Sequence, residues 1–269
     1  MSEPVRLAAA VDEGPPGAPV LVLGNSLGTT GELWAPQLPT LRKHFRVVDY
    51  EHRGHGGSPA PAGSYTIADL GGDVLRLLDE LGIGAVSYCG VSLGGMIGMW
   101  LAAHAPDRIT ALAVCCTTAR MPDQAFWTER AARVRASGLA PLATQVVGRW
   151  FTPSFAARYP GTPAAFAATL NSDVDPAGYA GCCDAIAGMD LRPVLPSVTA
   201  PTLVIAGSED PATPPWQGAV IARAIPHARL RVIRGASHLA SVSQPAEVTV
   251  ALTSHLLGSA AGVPQERAL

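Results

Sequence analysis

Charged residues are scarce in this chain, and neither sign is in large excess. Lys and Arg number 19 and Asp and Glu number 21 among 269 residues, which gives a formal net charge of −2 at pH 7. The basic residues are scattered, so we expect no nucleic-acid partner. Long apolar runs are also lacking, because Gly, Pro or polar residues interrupt each run within about ten positions, well short of a membrane span. We therefore expect no membrane association.

Cysteine is sparse as well, at 5 residues. Cys115–Cys116 and Cys182–Cys183 are neighbours in sequence, and adjacent cysteines rarely meet the geometry of a disulfide. Residues 1–16 contain early acids and no basic segment, which argues against a signal peptide. These features predict a cytoplasmic protein with reduced thiols. No cluster of His and Cys has the spacing of metal ligands, so neither a metal nor a cofactor is expected.

Hydrophobic residues, by contrast, make up 48% of the chain, enough for one large core. Short runs rich in β-forming residues alternate with helical patterns, which is typical of a parallel sheet covered by helices. The patterns predict strands at 19–25, 45–50, 85–89, 109–116, 200–207 and 228–235, and helices at 66–82, 94–105 and 245–257.

Residues 121–190 depart from this alternation. They are rich in Ala, Arg and aromatic residues, are helical in composition and contain no convincing strand. A helical insertion between two strands of a sheet predicts a cap over the sheet edge. We therefore expect an α/β fold with a core at 1–120 and 191–258, a helical cap at 121–190 and a flexible tail at 259–269.

The stretch GVSLGG places Ser92 among Gly90, Gly94 and Gly95. It follows a predicted strand and precedes a predicted helix, which is the context of a nucleophile elbow. In such a turn a strained serine lifts its hydroxyl above the sheet edge, and small neighbours let the strand and helix backbones pass closely. The alternative is a glycine-rich turn in which the serine is incidental. A serine hydroxyl needs a base to become a nucleophile, so the partner residues decide between the two.

A base and an acid follow at the same edge of the predicted sheet. His238 lies in GASHLASVSQP, between the last strand and the last helix, and Asp210 lies in GSEDPATPP after the strand at 200–207, with Glu209 as its rival. Loops after parallel strands meet at one edge of a sheet. The order Ser, Asp, His is also the one that nucleophile-elbow enzymes use. We predict Ser92 as nucleophile, His238 as base and Asp210 as the acid that orients it.

An oxyanion hole requires two backbone N–H groups. Leu93, directly after the serine, should provide one, and Leu27 in GNSLGTTG should provide the other, with Ser26 as its rival. The stretch EHRGHGGS contains His52 and His55 and could suggest a metal or phosphate loop. Its turn-like composition favours a structural turn.

With these residues in place, the chain resembles the α/β-hydrolases over essentially its whole length, and more narrowly the 3-oxoadipate enol-lactonases of aromatic-compound catabolism. The resemblance rests on LGNSLGTTGELWAPQ, HRGHGGSPAP with YTIADL, YCGVSLGGMIGMWLAAHAPDRI, RWFTPSF, DPAGYAGCCDAIAGMDLRP and APTLVIAGSEDPATPP. It implies the α/β-hydrolase fold and the same Ser-His-Asp triad. Glu51 replaces the Asp usual at that position, which we expect to affect loop packing more than chemistry.

The resemblance also implies the reaction and its substrate. The partner would be a small-molecule lactone that carries a carboxylate, 3-oxoadipate enol-lactone, hydrolysed to 3-oxoadipate through an acyl-enzyme. The carboxylate needs a cationic side chain, for which the cap offers Arg130, Arg133, Arg135 and Arg149. We choose Arg133, with Trp127 as an apolar wall and Trp150 as a further substrate contact. The sequence leaves the oligomeric state open.

Other functions would use the same residues. A broad carboxylesterase or a cofactor-free perhydrolase would need the same triad, and a C–C bond hydrolase would need a larger site. A non-catalytic ligand-binding protein on this fold is the alternative from a different class.

Overall fold

A seven-stranded sheet forms the centre of the computed structural model, which describes residues 3–260. Its strands are β1 Ala9–Glu13, β2 Val20–Gly24, β3 Arg46–Tyr50, β4 Val86–Val91, β5 Ile109–Cys115, β6 Thr202–Gly207 and β7 Arg229–Ile233. They lie in the order β1-β3-β2-β4-β5-β6-β7, and β1 pairs antiparallel with β3 while the other pairs are parallel. The predicted α/β fold with a mostly parallel sheet is confirmed.

Helices form most of the connections between the strands, and several of them pack against the sheet. They are α1 Leu38–Leu41, α2 Ile67–Glu80, α3 Leu93–His104, α4 Gln124–Ser137, α5 Ala143–Val147, α6 Pro153–Arg158, α7 Gly161–Ser172, α8 Pro176–Gly188, α9 Pro215–Ala224, α10 Ala240–Ser243 and α11 Pro245–Ala260. Within residues 3–260, no helix is long and apolar enough to cross a membrane.

The central strands of the sheet are apolar because both of their faces are covered, whereas the edge strand β7 is mostly exposed. Every residue of β4 and of β6 is buried, as expected for strands between two layers of helices. Strand β1 was not predicted. It lies at the sheet edge, and its pairing with β3 is supported by the ion pair of Asp12 with Arg46 at 2.7 Å. Such a long-range pairing leaves little trace in the local sequence.

Helix α2 shows how local sequence sets a boundary. Asp69 N–H donates to Thr66 Oγ1 at 3.1 Å, and Thr66 N–H donates back to Asp69 Oδ2 at 2.8 Å. This capping box satisfies N–H groups that the first turn of a helix leaves without partners. It begins the helix at Ile67, one residue after the cap.

Five helices, α4 to α8, lie between β5 and β6 in the region predicted as the cap. Helix α4 packs on α8, with Ala131 and Val134 buried in the contact layer of α4. The first two residues of the tail predicted at 259–269 continue α11. The rest of that tail, 261–269, lies outside the described residues. All five cysteines are buried and free of disulfides.

Candidate active site

Ser92 lies at the junction of β4 and α3 in the backbone conformation of a nucleophile elbow. Its φ is 54° and its ψ is −112°, a combination that residues with a side chain rarely adopt. Ser92 N–H donates to the Cys115 carbonyl at 2.9 Å, and Thr117 Oγ1 donates to the Ser92 carbonyl at 2.7 Å. Hydrogen bonds from the end of β5 therefore hold the strained turn.

Close backbone approach explains the glycines around Ser92. A Cβ at Gly90 would overlap the backbone of Gly94, and a Cβ at Gly94 would overlap the carbonyl of Gly24 in β2. A Cβ at Gly95 would come within 2.9 Å of a neighbouring side chain. Helix α3 thus begins directly against the ends of β2 and β4, and larger residues would push the elbow out of place.

Asp210 and His238 form a buried pair at the same edge of the sheet. His238 Nδ1 lies 2.8 Å from Asp210 Oδ2. Asp210 Oδ1 accepts the N–H groups of Ala212 and Thr213 at 2.8 and 3.0 Å, and Thr213 Oγ1 donates to Oδ2 at 2.7 Å. The fixed carboxylate sets the imidazole orientation and turns its other nitrogen, Nε2, away from the acid.

The environment of Asp210 favours its ionised form. Burial alone raises the pKa of this carboxyl, but the charge and hydrogen bond of His238, with the hydrogen bonds from Thr213, outweigh burial and lower the pKa to about 2. Asp210 is therefore ionised at neutral pH. The rival, Glu209, is exposed and has no contact with His238 among the hydrogen bonds of residues 3–260.

Ser92 and His238 line one cavity, and their exposed fractions are only 8% and 4%. Within the described residues, no hydrogen bond joins the Ser92 hydroxyl to the imidazole. Catalytic hydrogen bonds often reach full strength only in the substrate complex. The structure thus brings the three predicted residues to one site and orients the His–Asp pair.

The two predicted oxyanion donors lie in the turns next to this cavity, with Leu27 in its lining and Leu93 directly after Ser92. The Ser26 carbonyl accepts both the N–H and the Oγ1 of Thr29, at 3.1 and 3.0 Å. In a trans peptide the following N–H, that of Leu27, points the opposite way. Leu93 N–H is the first of α3 and lacks an intrahelical partner. In the described part of the chain neither N–H has a hydrogen-bond partner. The choice of Leu27 over Ser26 stays a prediction.

Two histidines, His52 and His55, hold the turn that contains Leu27. Both were assigned by sequence analysis only to a structural turn. His55 Nε2 accepts Gly28 N–H at 2.9 Å, while His55 Nδ1 lies 3.0 Å from the Arg53 carbonyl and so carries the proton. His52 Nε2 lies 2.7 Å from the Asn25 carbonyl and donates to it. This positioning role of His52 and His55 was missed by sequence analysis. Each contact joins residues 27 positions apart, and no local sequence pattern indicates such a pairing.

Burial keeps both of these histidines neutral. It lowers the pKa of His55 to about 4 and, together with the repulsion that protonation of both rings would create, lowers the pKa of His52 to about 3. Glu51 completes the network, with Oε1 accepting Gly31 N–H at 3.0 Å. Its contacts are those of loop packing. Among residues 3–260, no three His, Cys, Asp or Glu side chains are grouped so that they could hold a metal ion.

A cavity of about 320 Å³ lies over these groups. Ser92, His238 and Leu27 line its base, and the cap residues Trp127 and Trp150 line its apolar walls. This volume suits a small molecule. The helical segment between β5 and β6 is joined to the loop of His238, since the Trp150 carbonyl accepts the N–H of the residue after His238 at 3.0 Å.

The cavity lining favours arginines other than the predicted Arg133. Arg133 is exposed and does not line the cavity, whereas Arg130 and Arg149 do. At 3.6 residues per turn, Arg133 lies about 200° round α4 from Ala131, which is fully buried. Arg130 shares the side of Trp127, one turn earlier, and stacks over its ring at 5.0 Å. The sequence could not reveal which face α4 turns toward the site.

The comparisons with known proteins agree with this architecture. The model of the alpha/beta hydrolase fold matches residues 19–245. The 3-oxoadipate enol-lactonase 2 of Acinetobacter baylyi is 40% identical over 227 residues, 84% of each chain. The crystal structure of the enol-lactonase from Burkholderia xenovorans LB400 has a TM-score of 0.90 at 42% identity and covers 93% of this chain and 96% of that one. A thermophilic esterase from Thermogutta terrifontis with malate bound has a TM-score of 0.88 at 29% identity, with 96% of each chain covered. The chain belongs to the α/β-hydrolase family, as its motifs predict.

Proposed function

We propose that this protein hydrolyses 3-oxoadipate enol-lactone to 3-oxoadipate. The observation that carries the proposal is a single small cavity that contains Ser92, His238 and two guanidinium groups. A lactone with an acetate side chain needs both a nucleophile for its carbonyl and a cation for its carboxylate. Enol-lactonases at 40% and 42% identity support this choice of substrate.

Ring opening would begin with attack of Ser92 Oγ on the lactone carbonyl as His238 Nε2 takes the hydroxyl proton. The N–H groups of Leu27 and Leu93 would hold the oxyanion. Collapse of the tetrahedral intermediate breaks the ring C–O bond and releases an enolate oxygen, which takes the proton from His238. The enol then becomes a ketone. An enolate is a better leaving group than an alkoxide, so ring opening is chemically easy.

The acyl-enzyme would be cleaved by the same residues in reverse roles. His238 takes a proton from water, the resulting oxygen attacks the ester carbonyl, and Ser92 Oγ leaves with the proton that His238 returns. Asp210, ionised because its pKa is about 2, stabilises the imidazolium in each step. No group other than these side chains, backbone N–H groups and water is required for the chemistry.

We assign the substrate carboxylate to Arg130, which replaces Arg133 in this role. Arg130 Nη1 lies 3.5 Å from Tyr179 Oη and its guanidinium stacks over Phe126 at 4.6 Å, so the charge is held at the cavity without a carboxylate partner among the described residues. Trp127 and Trp150 would flank the ring of the lactone.

A broad carboxylesterase is the second candidate. The likeness to a thermophilic esterase at 29% identity and a TM-score of 0.88 favours it. Both candidates use the same triad and oxyanion hole. They differ in whether the cations of the cavity contribute to substrate choice.

A pair of lactones separates the two candidates. α-Angelica lactone has the same enol-ester ring but a methyl group in place of the acetate. For an enol-lactonase we expect kcat/KM to favour the carboxylate-bearing lactone by about 100-fold, since a charged hydrogen-bonded contact contributes about 1.5–3 kcal/mol. Arg130→Met should remove most of this preference through KM, and Arg133→Met, on the same helix, should keep it. Equal rates on both lactones in the parent protein would favour the esterase.

A further inference from the structure

Two guanidinium groups line the cavity, although the substrate has only one carboxylate. Arg130 and Arg149 stack over the same ring, that of Phe126, at 4.6 and 5.8 Å. Within the described residues neither forms an ion pair. Asp123 also lines the cavity, but it is exposed and its carboxylate caps α4 by accepting Phe126 N–H at 3.0 Å. The cavity therefore holds one cation more than the substrate requires.

Arg149 lies on the side of the reacting groups. Its Nη2 donates to the carbonyl of Pro211, the residue after Asp210, at 3.2 Å. Its own carbonyl accepts Ser237 Oγ, from the residue before His238, at 3.0 Å. Arg130, by contrast, contacts Trp127 and Tyr179 of the cap. The two cations share the Phe126 ring but are anchored differently, Arg149 to the loop after Asp210 and Arg130 to Tyr179.

Holding two like charges in a partly buried cavity has an electrostatic cost. Burial, and then the charge of Arg130, lower the pKa of Arg149, and the negative charge of Asp210 opposes them only in part. The partners that Arg149 has, a carbonyl and an aromatic ring, are neutral. An anion bound between the two guanidinium groups would relieve their mutual repulsion. Its oxygens would also replace the hydrogen bonds to water that the guanidinium groups lose on burial.

Hydrolysis itself creates the second anion. Water adds its oxygen to the acyl carbon, the bond to Ser92 Oγ breaks, and Oγ takes a proton from His238. The acid so formed loses its proton at neutral pH, because carboxylic acids have pKa values near 4. A monoanionic lactone thus becomes a dicarboxylate, and the new carboxylate forms at Ser92, in the cavity that Arg149 also lines.

We infer that Arg149 is a second anion site, which binds the carboxylate that hydrolysis creates. With Arg130 it makes the cavity a site for dicarboxylates of about six carbons. This inference rests on the proposed function. If Arg149 is such a site, linear dicarboxylates bind the free enzyme and compete with the substrate. Arg149 then contributes to the product complex rather than to binding of the lactone.

Calorimetric binding of two matched ligands tests the inference without any turnover. Adipate carries two carboxylates, and adipamate, its monoamide, has the same length and one charge fewer. We expect the parent protein to bind adipate about tenfold more tightly than adipamate, as a charge-assisted contact would produce. Arg149→Met should bring this ratio close to one, and Arg149→Lys, which keeps the charge, should retain part of it.

Arg133→Met is the matched control, because it removes one positive charge from the cap outside the cavity. It should leave the ratio at the parent value. Thermal unfolding of each variant checks that loss of the Pro211 contact has not unfolded the cap. A parent ratio near one, or a tenfold ratio that persists in Arg149→Met, would overturn the inference.

The result separates this inference from the proposed function. If the parent protein binds adipate preferentially through Arg149 but does not hydrolyse the enol-lactone, the dicarboxylate site stands and the proposed reaction fails. If the lactone is hydrolysed but adipate and adipamate bind alike, the reaction stands and the second anion site fails.

Discussion

Replacing His55 by Leu tests whether a buried histidine outside the triad positions the oxyanion hole. The change keeps similar bulk and removes the acceptor of Gly28 N–H. Because Gly28 directly follows Leu27, the peptide that His55 holds is the one next to the proposed donor. His55 contacts neither the cavity nor the reacting atoms in the described structure, so it acts as a positioning residue.

The size of the effect follows from two contributions. A buried N–H left without a partner costs about 1–3 kcal/mol, so the free energy of unfolding should fall by that amount. Complete loss of one oxyanion donor lowers kcat by about 10²–10³. Displacement of Leu27 would weaken its N–H contact with the oxyanion without removing it. We therefore expect kcat to fall by about 10–100-fold with KM nearly unchanged.

The assay compares kcat, KM and chemical unfolding for the parent protein and three variants. His55→Gln places an acceptor near the Nε2 position and should recover part of kcat. His255→Leu is the control, since His255 is also buried but its Nε2 bonds to the Leu112 carbonyl in β5, and it does not line the cavity. It should lose stability and keep kcat. If His55→Leu loses stability but retains kcat, the positioning role is wrong.

Three further changes have defined outcomes. Acidification should destabilise the protein, because the pKa values of His52 and His55 in the folded chain are about 3 and about 4, below the unfolded value of 6.5. Their stabilising contribution is complete above pH 6.5 and falls as the pH drops toward 3, which urea unfolding at several pH values can follow. Gly94→Ala should unfold at lower temperature and lose kcat, because its Cβ would overlap the Gly24 carbonyl; a parent-like melting temperature would refute the close approach. Asp210→Asn should keep the fold and lower kcat by about 10⁴ through the wrong imidazole tautomer, and a loss below tenfold at neutral pH would show that this acid does not orient His238.

Features that local sequence determines were predictable. Gly90 and Gly94 flank Ser92 at a strand–helix junction, and the loops of Asp210 and His238 follow strands whose carboxyl ends share one edge. Each of these assignments depends on a short apolar run and the few polar residues after it. The parallel order of the strands then brings the three loops together.

Features that depend on packing between distant segments were not predictable. Arg130 and Arg133 lie on one helix, and only the contact of α4 with α8 decides which of them faces the cavity. His55 contacts Gly28 across 27 residues, a pairing that exists only after β2 and β3 lie side by side. Strand β1 pairs with β3 in the same long-range way.

Hydrolysis of 3-oxoadipate enol-lactone by the parent protein and by Ser92→Ala, alongside hydrolysis of p-nitrophenyl acetate, tests the proposed function most directly. The enol-lactone can be generated in situ from its muconolactone precursor. The account predicts rapid loss of the lactone by the parent, feeble ester cleavage, and loss of the lactone activity in Ser92→Ala by at least about 10⁴-fold. Fast ester cleavage with the lactone left intact, or lactone hydrolysis that survives in Ser92→Ala, would contradict it.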